Sequence, residues 1–161
     1  MVGRELKHKH PHKPAGNGDV VLKLEKISAL GDMHTLALDN VSFENARAKY
    51  GIAGVSGNGQ RELAEVIAGM RLSMGGKMYY RGQDFTKNAG AKIEAGISYV
   101  PEDRLGTGLA PNLNSVENII LKEYNGRFAE VGIKWQAAVS AAKHIVEEFD
   151  IKQGSIYQPV K

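Results

Sequence analysis

The chain has 161 residues, 42% hydrophobic and 24% charged, with a formal net charge of +3, a composition that suits one globular domain with a modest core. The absence of cysteine excludes a disulfide framework and a thiolate metal site, and fits a reducing compartment such as the cytoplasm. No stretch nears the roughly 18 to 20 continuous apolar residues that span a bilayer, and the start lacks a signal-peptide core, so a membrane link would run through a partner.

Residues 1–18 open as MVGRELKHKHPHKP and read as a basic linker or arm. No aromatic residue is interleaved there for base stacking, which favours a solvated linker over a nucleic-acid arm. His8, His10 and His12 alternate and could chelate a metal only by ordering a flexible segment, which weighs against it. The folded part spans 19–161. Residues 20–27 (VVLKLEKI) alternate as a strand, with Val20, Leu22, Leu24 and Lys26 on one mainly apolar face. Residues 36–43 form a second strand broken at Asp39 and Asn40. Residues 50–55 (YGIAGV) read as a short buried strand running into glycines.

Residues 61–70 place Leu63, Val66, Ile67 and Met70 on one face at helical spacing, with Gly69 near the end. A strand at 77–80, a turn at Gly82 and a short strand at 84–86 follow, then a small helix at 92–95 closed by Gly96. Residues 97–100 read as another strand. Asn114 or Ser115 can cap a helix running from 116 to about 124. A long amphipathic helix at 135–149 turns Val139, Ala142, Val146 and Phe149 inward. Strand, glycine loop and helix in that order predict an α/β fold with a mostly parallel sheet around the loop. An antiparallel β portion from the first strands and residues 78–86 joins it.

Gly54, Ser56, Gly57, Asn58, Gly59, Gln60 and Arg61 match the glycine spacing of a phosphate-binding G-x-x-x-x-G-K-[ST] loop, with Glu62 next to it. Glycines there allow positive φ and bring backbone N–H groups and the positive end of a helix against phosphate oxygens. Gln60 stands where the lysine ammonium would neutralise β and γ phosphates, and Arg61 where a hydroxyl would ligate magnesium. By itself such a loop is about as compatible with a plain glycine turn before a helix. A dinucleotide-binding G-x-G-x-x-G fits less well, since Glu62 stands where the third glycine belongs. Further on, Glu102 and Asp103 follow Pro101 at the end of an expected strand, where α/β proteins keep their sites, though taken alone an exposed charged turn with Arg104 in a surface ion pair explains them more simply.

The loop has company. GIAGVSGNGQRELAEVIAG, GISYVPEDRLGTGLAPNL and SVENIILKEY, in this order and spacing, closely resemble the second ATPase half of bacterial sugar and nucleoside ABC importers, from about residue 18 to 161. GLAP and SVENI are closer to the nucleoside branch, and MVGREL resembles the junction that leaves the first ATPase half. The resemblance implies a P-loop NTPase-like ABC ATPase core with an antiparallel β portion. It also implies that the core is incomplete, because the family continues past a pair like Pro159-Val160 into the LSGG signature, the Walker B strand with its catalytic glutamate, and the switch histidine. It implies ATP and Mg2+ as cofactors, both weakly held in this half, with Glu102 at the Q-loop position. It implies the first ATPase half and transmembrane permease subunits as partners, a solute-binding protein indirectly, no nucleic acid, and a peripheral place on the cytoplasmic face of the plasma membrane. No residue of this chain is assigned a catalytic role. Leu30 and Gly31 replace the aromatic that stacks on adenine, and Arg47-Ala48 replaces a Gly-Glu pair. The rival reading is a non-catalytic interaction or regulatory module that uses the loop as a scaffold turn.

Overall fold

Leu24, Ile27 and Ala29 are all buried, although a regular strand would turn Leu24 and Ile27 to opposite faces. In a computed structural model, which describes residues 19–46, 49–87, 89–123, 126, 128 and 132–160, a bulge at Lys26 reconciles them. Lys26 takes a φ of 50°, so the strand shifts by one residue and Lys26 turns to solvent instead of sharing the face of Leu22 and Leu24. The partner strand answers with Gly76 at φ 85°, where a Cβ would lie 2.3 Å from the Lys26 carbonyl oxygen. Only glycine fits that close approach. The basic arm at 1–18 and the Arg47-Ala48 pair lie outside the described residues.

The described residues divide into two units, one ending at Ile97 and one beginning at Ser98. In the first, strands β1 (Leu22–Leu30), β2 (Leu36–Asn45), β3 (Gly75–Tyr80) and β4 (Gln83–Asp84) form one antiparallel sheet in the order β2-β1-β3-β4. Lys23 pairs with Glu44 on one side and Tyr79 on the other. The expected break at Asp39 and Asn40 is a second bulge, with Asn40 at φ 51° inside a continuous β2. Helix α1 (Gln60–Ala68) packs Leu63 and Val66 into the core of Leu24, Ile27, Leu38, Met78 and Phe85. Fully burying each large side chain there contributes about 1.5–3 kcal/mol. Gly69, at φ 83°, ends α1 and leaves Met70 exposed. Helix α2 (Ala89–Glu94) starts earlier than expected and buries Lys92, whose Nζ donates to the Val66 carbonyl at 2.8 Å.

The expected parallel sheet around the loop is absent among the described residues. Residues 50–55 are exposed and join no sheet, and the Tyr50 ring stacks on Phe43 at 4.9 Å. Residues 97–100 make no ladder either, and Val100 is 88% exposed. Both runs are too short to bury two faces unaided. A β conformation without neighbours leaves its N–H and C=O groups to water, so apolar composition alone does not make a strand.

The second unit holds a single π turn (Arg104–Gly108), α3 (Ser115–Ile120) and α4 (Trp135–Glu148). Asn114 and Glu117 form a reciprocal capping box, which sets the start of α3. The helix ends at Ile120, earlier than the pattern suggests. Ala138 and Ala142, one turn apart, are fully buried against Val116, Ile120 and Phe128. Val139 packs beside this contact, Val146 is half-buried and Phe149 is 68% exposed, so the buried stripe keeps Ala142, centres on Ala138 as well, and leaves out Phe149. Small side chains on α4 leave room for the larger Val116, Ile120 and Phe128 at the centre of the contact.

Candidate functional site

Gly54 to Glu62 form one continuous turn in the first unit, from the extended run into the first turn of α1. Gly57 and Gly59 adopt φ of 89° and 93°, the left-handed geometry a phosphate loop requires. Gly59 also packs on β2, since a Cβ there would lie 2.6 Å from the Ala37 carbonyl oxygen. Its own carbonyl accepts the Leu63 N–H at 2.9 Å, the first bond of α1, and no side chain at Gly59 caps the helix. Backbone N–H groups at the start of α1 thus lie outside the helix ladder, where an anion site draws its donors, although the Glu62 N–H is bonded to its own carboxylate. Ser56 and Asn58 sit exposed on the turn, with the Asn58 N–H donating to the Val55 carbonyl at 3.3 Å.

The two replaced positions behave differently. The Gln60 carboxamide folds back into the loop. Its Nε2 donates to the same Val55 carbonyl at 3.1 Å and packs against Gly54, where a Cβ would be 2.3 Å away. Arg61 instead joins an ion network. Its Nη2 reaches Asp32 in the β1–β2 turn and Glu62 at 3.0 Å, and its Nε lies 3.7 Å from Glu65. Arg71, just beyond α1, binds Asp32 and Glu65, both at 2.6 Å, and donates to the Leu30 carbonyl at 2.7 Å. Hydrogen bonds from Arg71 and then Arg61 hold the Asp32 carboxyl below its usual range. Partial burial pushes the Glu62 carboxyl up, but its own backbone N–H and Arg61 outweigh this and leave it lowered. Hydrogen bonds to Glu62 and then Asp32 hold the proton on Arg61 more firmly still.

Asp32, Glu65 and Arg71 are absent from the sequence-based site. Asp32 and Arg71 are 39 residues apart and match no motif, so only the packing of α1 beside the β1–β2 turn joins them. That junction forms an open cleft of about 440 Å³, lined by Gly31, Asp32, Thr35 and Leu36 on one side and Gly57, Asn58, Arg61 and Glu62 on the other. The loop and this cleft suit a phosphorylated nucleoside. Helix-start N–H groups outside the α1 ladder serve the phosphates, and the mainly polar wall offers a base only a small apolar contact at Met33 and Leu36. Magnesium does not fit the same way. A guanidinium stands at the metal-ligating position, and the neighbouring carboxylates Asp32, Glu62 and Glu65 are committed to arginines. Among the described residues no cluster of three or more His, Cys, Asp or Glu could hold a metal ion.

Glu102 belongs to the second unit and is exposed. Its neighbours are structural. The Asp103 carboxylate accepts the Gly106 N–H at 2.9 Å, and the Asp103 carbonyl accepts those of Thr107 and Gly108, both at 3.2 Å. The charged turn is thus Asp103 capping a π turn, which leaves the Glu102 side chain uncommitted to that turn's hydrogen bonds.

A glycine loop leading into a helix beside an antiparallel β portion defines a P-loop nucleotide-binding cassette class. The solved structures agree on the fold. A dimeric ATP-binding cassette in a post-hydrolysis state, bound to ADP and Pi, superposes with a TM-score of 0.60 at 18% identity, covering 86% of this chain and 61% of the other. A second cassette superposes at 0.53 and 20% identity, covering 81% of this chain and 54% of that one. The ABC transporter family model matches residues 38–158, and the chain belongs to that family. It is 40% identical over 157 residues to the glucose import ATP-binding protein TsgD13 of Haloferax volcanii, covering 94% of this chain and 28% of the relative. It is 30% identical over 161 residues to the guanosine import ATP-binding protein NupO of Bacillus subtilis, covering 98% and 32%. The chain thus spans about a third or less of the length of these curated relatives.

Proposed function

We propose that this chain is part of the ATP-binding subunit that energises ABC-type uptake of a simple sugar or nucleoside, and that its own loop is the degenerate nucleotide site. The observation that carries this reading is the state of the two replaced positions. Gln60 is bonded back to Val55 and Arg61 is tied to Asp32 and Glu62, so a phosphate chain meets backbone N–H groups but no lysine and no metal ligand. Gly54, Ser56, Gly57, Asn58, Gly59, Gln60, Arg61 and Glu62 hold ATP weakly in this reading. Hydrogen bonds to charged groups are worth about 1.5–3 kcal/mol each, so losing the lysine weakens binding without abolishing it. Chemistry on the γ-phosphate belongs to a competent site elsewhere in the intact assembly.

The partners that fit are the first ATPase half of the same protein, transmembrane permease subunits and, through them, a solute-binding protein, at the cytoplasmic face of the plasma membrane. The names of the relatives support this, and nucleic acid has no part in it. No helix among the described residues is long and apolar enough to cross a membrane. Exposed Glu102, beside the Asp103 turn, is the group of the second unit that we assign, at the Q-loop position, to cofactor binding or contact with the permease.

Titration with ATP, followed by amide NMR, tests the reading. Shifts confined to Gly57 to Glu62 at millimolar ATP, with no phosphate release by the chain, are expected. Silence at those amides in a folded chain would replace it with the scaffold reading. Magnesium-dependent turnover that disappears on mutation of Gln60 or Glu102 would show that the loop is catalytically competent.

A further inference from the structure

We propose that this loop takes a nucleoside di- or triphosphate as its metal-free anion, with Arg61 supplying the positive charge that magnesium supplies at a lysine-containing phosphate loop. The inference rests on the nucleotide reading above. Three observations lead to it. Arg61 occupies the position of the metal-ligating hydroxyl and lines the 440 Å³ cleft together with Gly57 and Asn58. The carboxylates that would otherwise offer oxygen to a cation are engaged, Glu62 by Arg61, Glu65 by Arg71, and Asp32 by both arginines. The Arg61–Asp32 contact is also an open one, with the two side chains 53% and 58% exposed.

An exposed ion pair is weak, because water screens both charges, and it yields to a stronger partner. A polyphosphate entering the cleft offers Arg61 a denser anion and a two-point contact for its planar guanidinium. Glu62, only 12% exposed, stays behind to orient the arginine. Magnesium works against this exchange in two ways. It lowers the negative charge presented to Arg61, and it places a cation and its waters where the guanidinium already stands. Asp32 is then a competitor for Arg61, held in place by Arg71, and it sets how readily the arginine turns to the ligand.

The test compares ATP with excess EDTA against ATP with excess Mg2+, at matched ionic strength, using amide shifts of Gly57 to Glu62 to obtain Kd. Metal-free ATP is expected to bind more tightly, by about tenfold, the size of one charge-assisted contact. Arg61→Ser is expected to weaken metal-free binding and to make Mg2+ favourable or neutral. Asp32→Asn, which leaves Arg71 bonded to Glu65 and Leu30, is expected to tighten metal-free binding several-fold, and gives a second route should Arg61→Ser fold poorly. Tighter binding with Mg2+ in the unmodified chain, or an Asp32→Asn variant that binds metal-free ATP more weakly, would overturn the assignment while the nucleotide reading stands. No binding under either condition would remove both.

Discussion

Replacing Gly57 and Gly59 singly by alanine separates two reasons for a glycine in this loop. Both have positive φ, 89° and 93°, so each alanine carries a left-handed cost of about 1–2 kcal/mol. At Gly57 nothing lies within 4 Å of the new Cβ, and that cost is the whole effect. At Gly59 the Cβ meets the Ala37 carbonyl oxygen at 2.6 Å and Leu38 Cδ2 at 3.1 Å. Backbone cannot move aside as a flexible side chain would, so overpacking adds about 1–3 kcal/mol. Gly59→Ala should therefore cost roughly 2–5 kcal/mol in total, a large share of the 5–15 kcal/mol that holds a typical domain together. Urea unfolding read by the sheet's circular dichroism, with amide exchange in β1 and β2 as a check, reports the first unit directly. With a denaturant slope of about 1–3 kcal/mol/M, the Gly59→Ala midpoint should fall about 1 M below that of Gly57→Ala. Equal midpoints, or a lower one for Gly57→Ala, would refute the claim that the loop is pressed against β2.

Lys92→Met should leave stability at pH 7 unchanged or raise it. Met preserves length, and the Val66 carbonyl keeps the Gly69 N–H at 3.1 Å. Burial lowers the Lys92 value below the ordinary 10.5, so the unfolded chain binds more protons between those two values. Native stability should rise with pH through that window, and the rise should vanish in Lys92→Met, as urea midpoints at pH 7 and 10 would report. Asp32 gives the same slope with pH in an acidic window, but its ionised form stabilises the fold. Its lowered carboxyl favours the fold above the ordinary 3.8, and the contribution is lost as pH falls through the lower native value. Arg71→Ala should return the Asp32 titration toward normal, measured by carboxyl carbon NMR. Asn114→Ala should cost about 1 kcal/mol through loss of the capping box at α3, read by the fluorescence of Trp135 during unfolding.

Much of the local structure was legible where chemistry is local. Apolar spacing at Leu63 and Val66 with Gly69 behind them is enough for α1, and Asn114 with Glu117 is enough for the start of α3. The hairpin around Gly82 needs only a turn residue between two alternating runs. Period-2 reasoning failed at β1, because a bulge breaks the period. Neither Lys26 nor Gly76 signals the other across the 49 residues between them. It failed again at 50–55 and 97–100, where an apolar run has the composition of a strand but no neighbour to pair with.

For the site, the sequence by itself determined which groups the loop contains: its glycines, and Gln60 and Arg61 where a lysine and a hydroxyl would stand. These are identities at fixed spacing along one turn, and covalent order alone preserves them. What only the tertiary structure decided is what those groups do. Gln60 turning back to Val55 depends on the curvature of the folded loop. The clasp of Arg61 by Asp32, and of Asp32 by Arg71, depends on α1 lying beside the β1–β2 turn. Electrostatic partnership falls off with distance in space and is indifferent to distance along the chain, so the network around Asp32 exists only once the sheet and helix have packed.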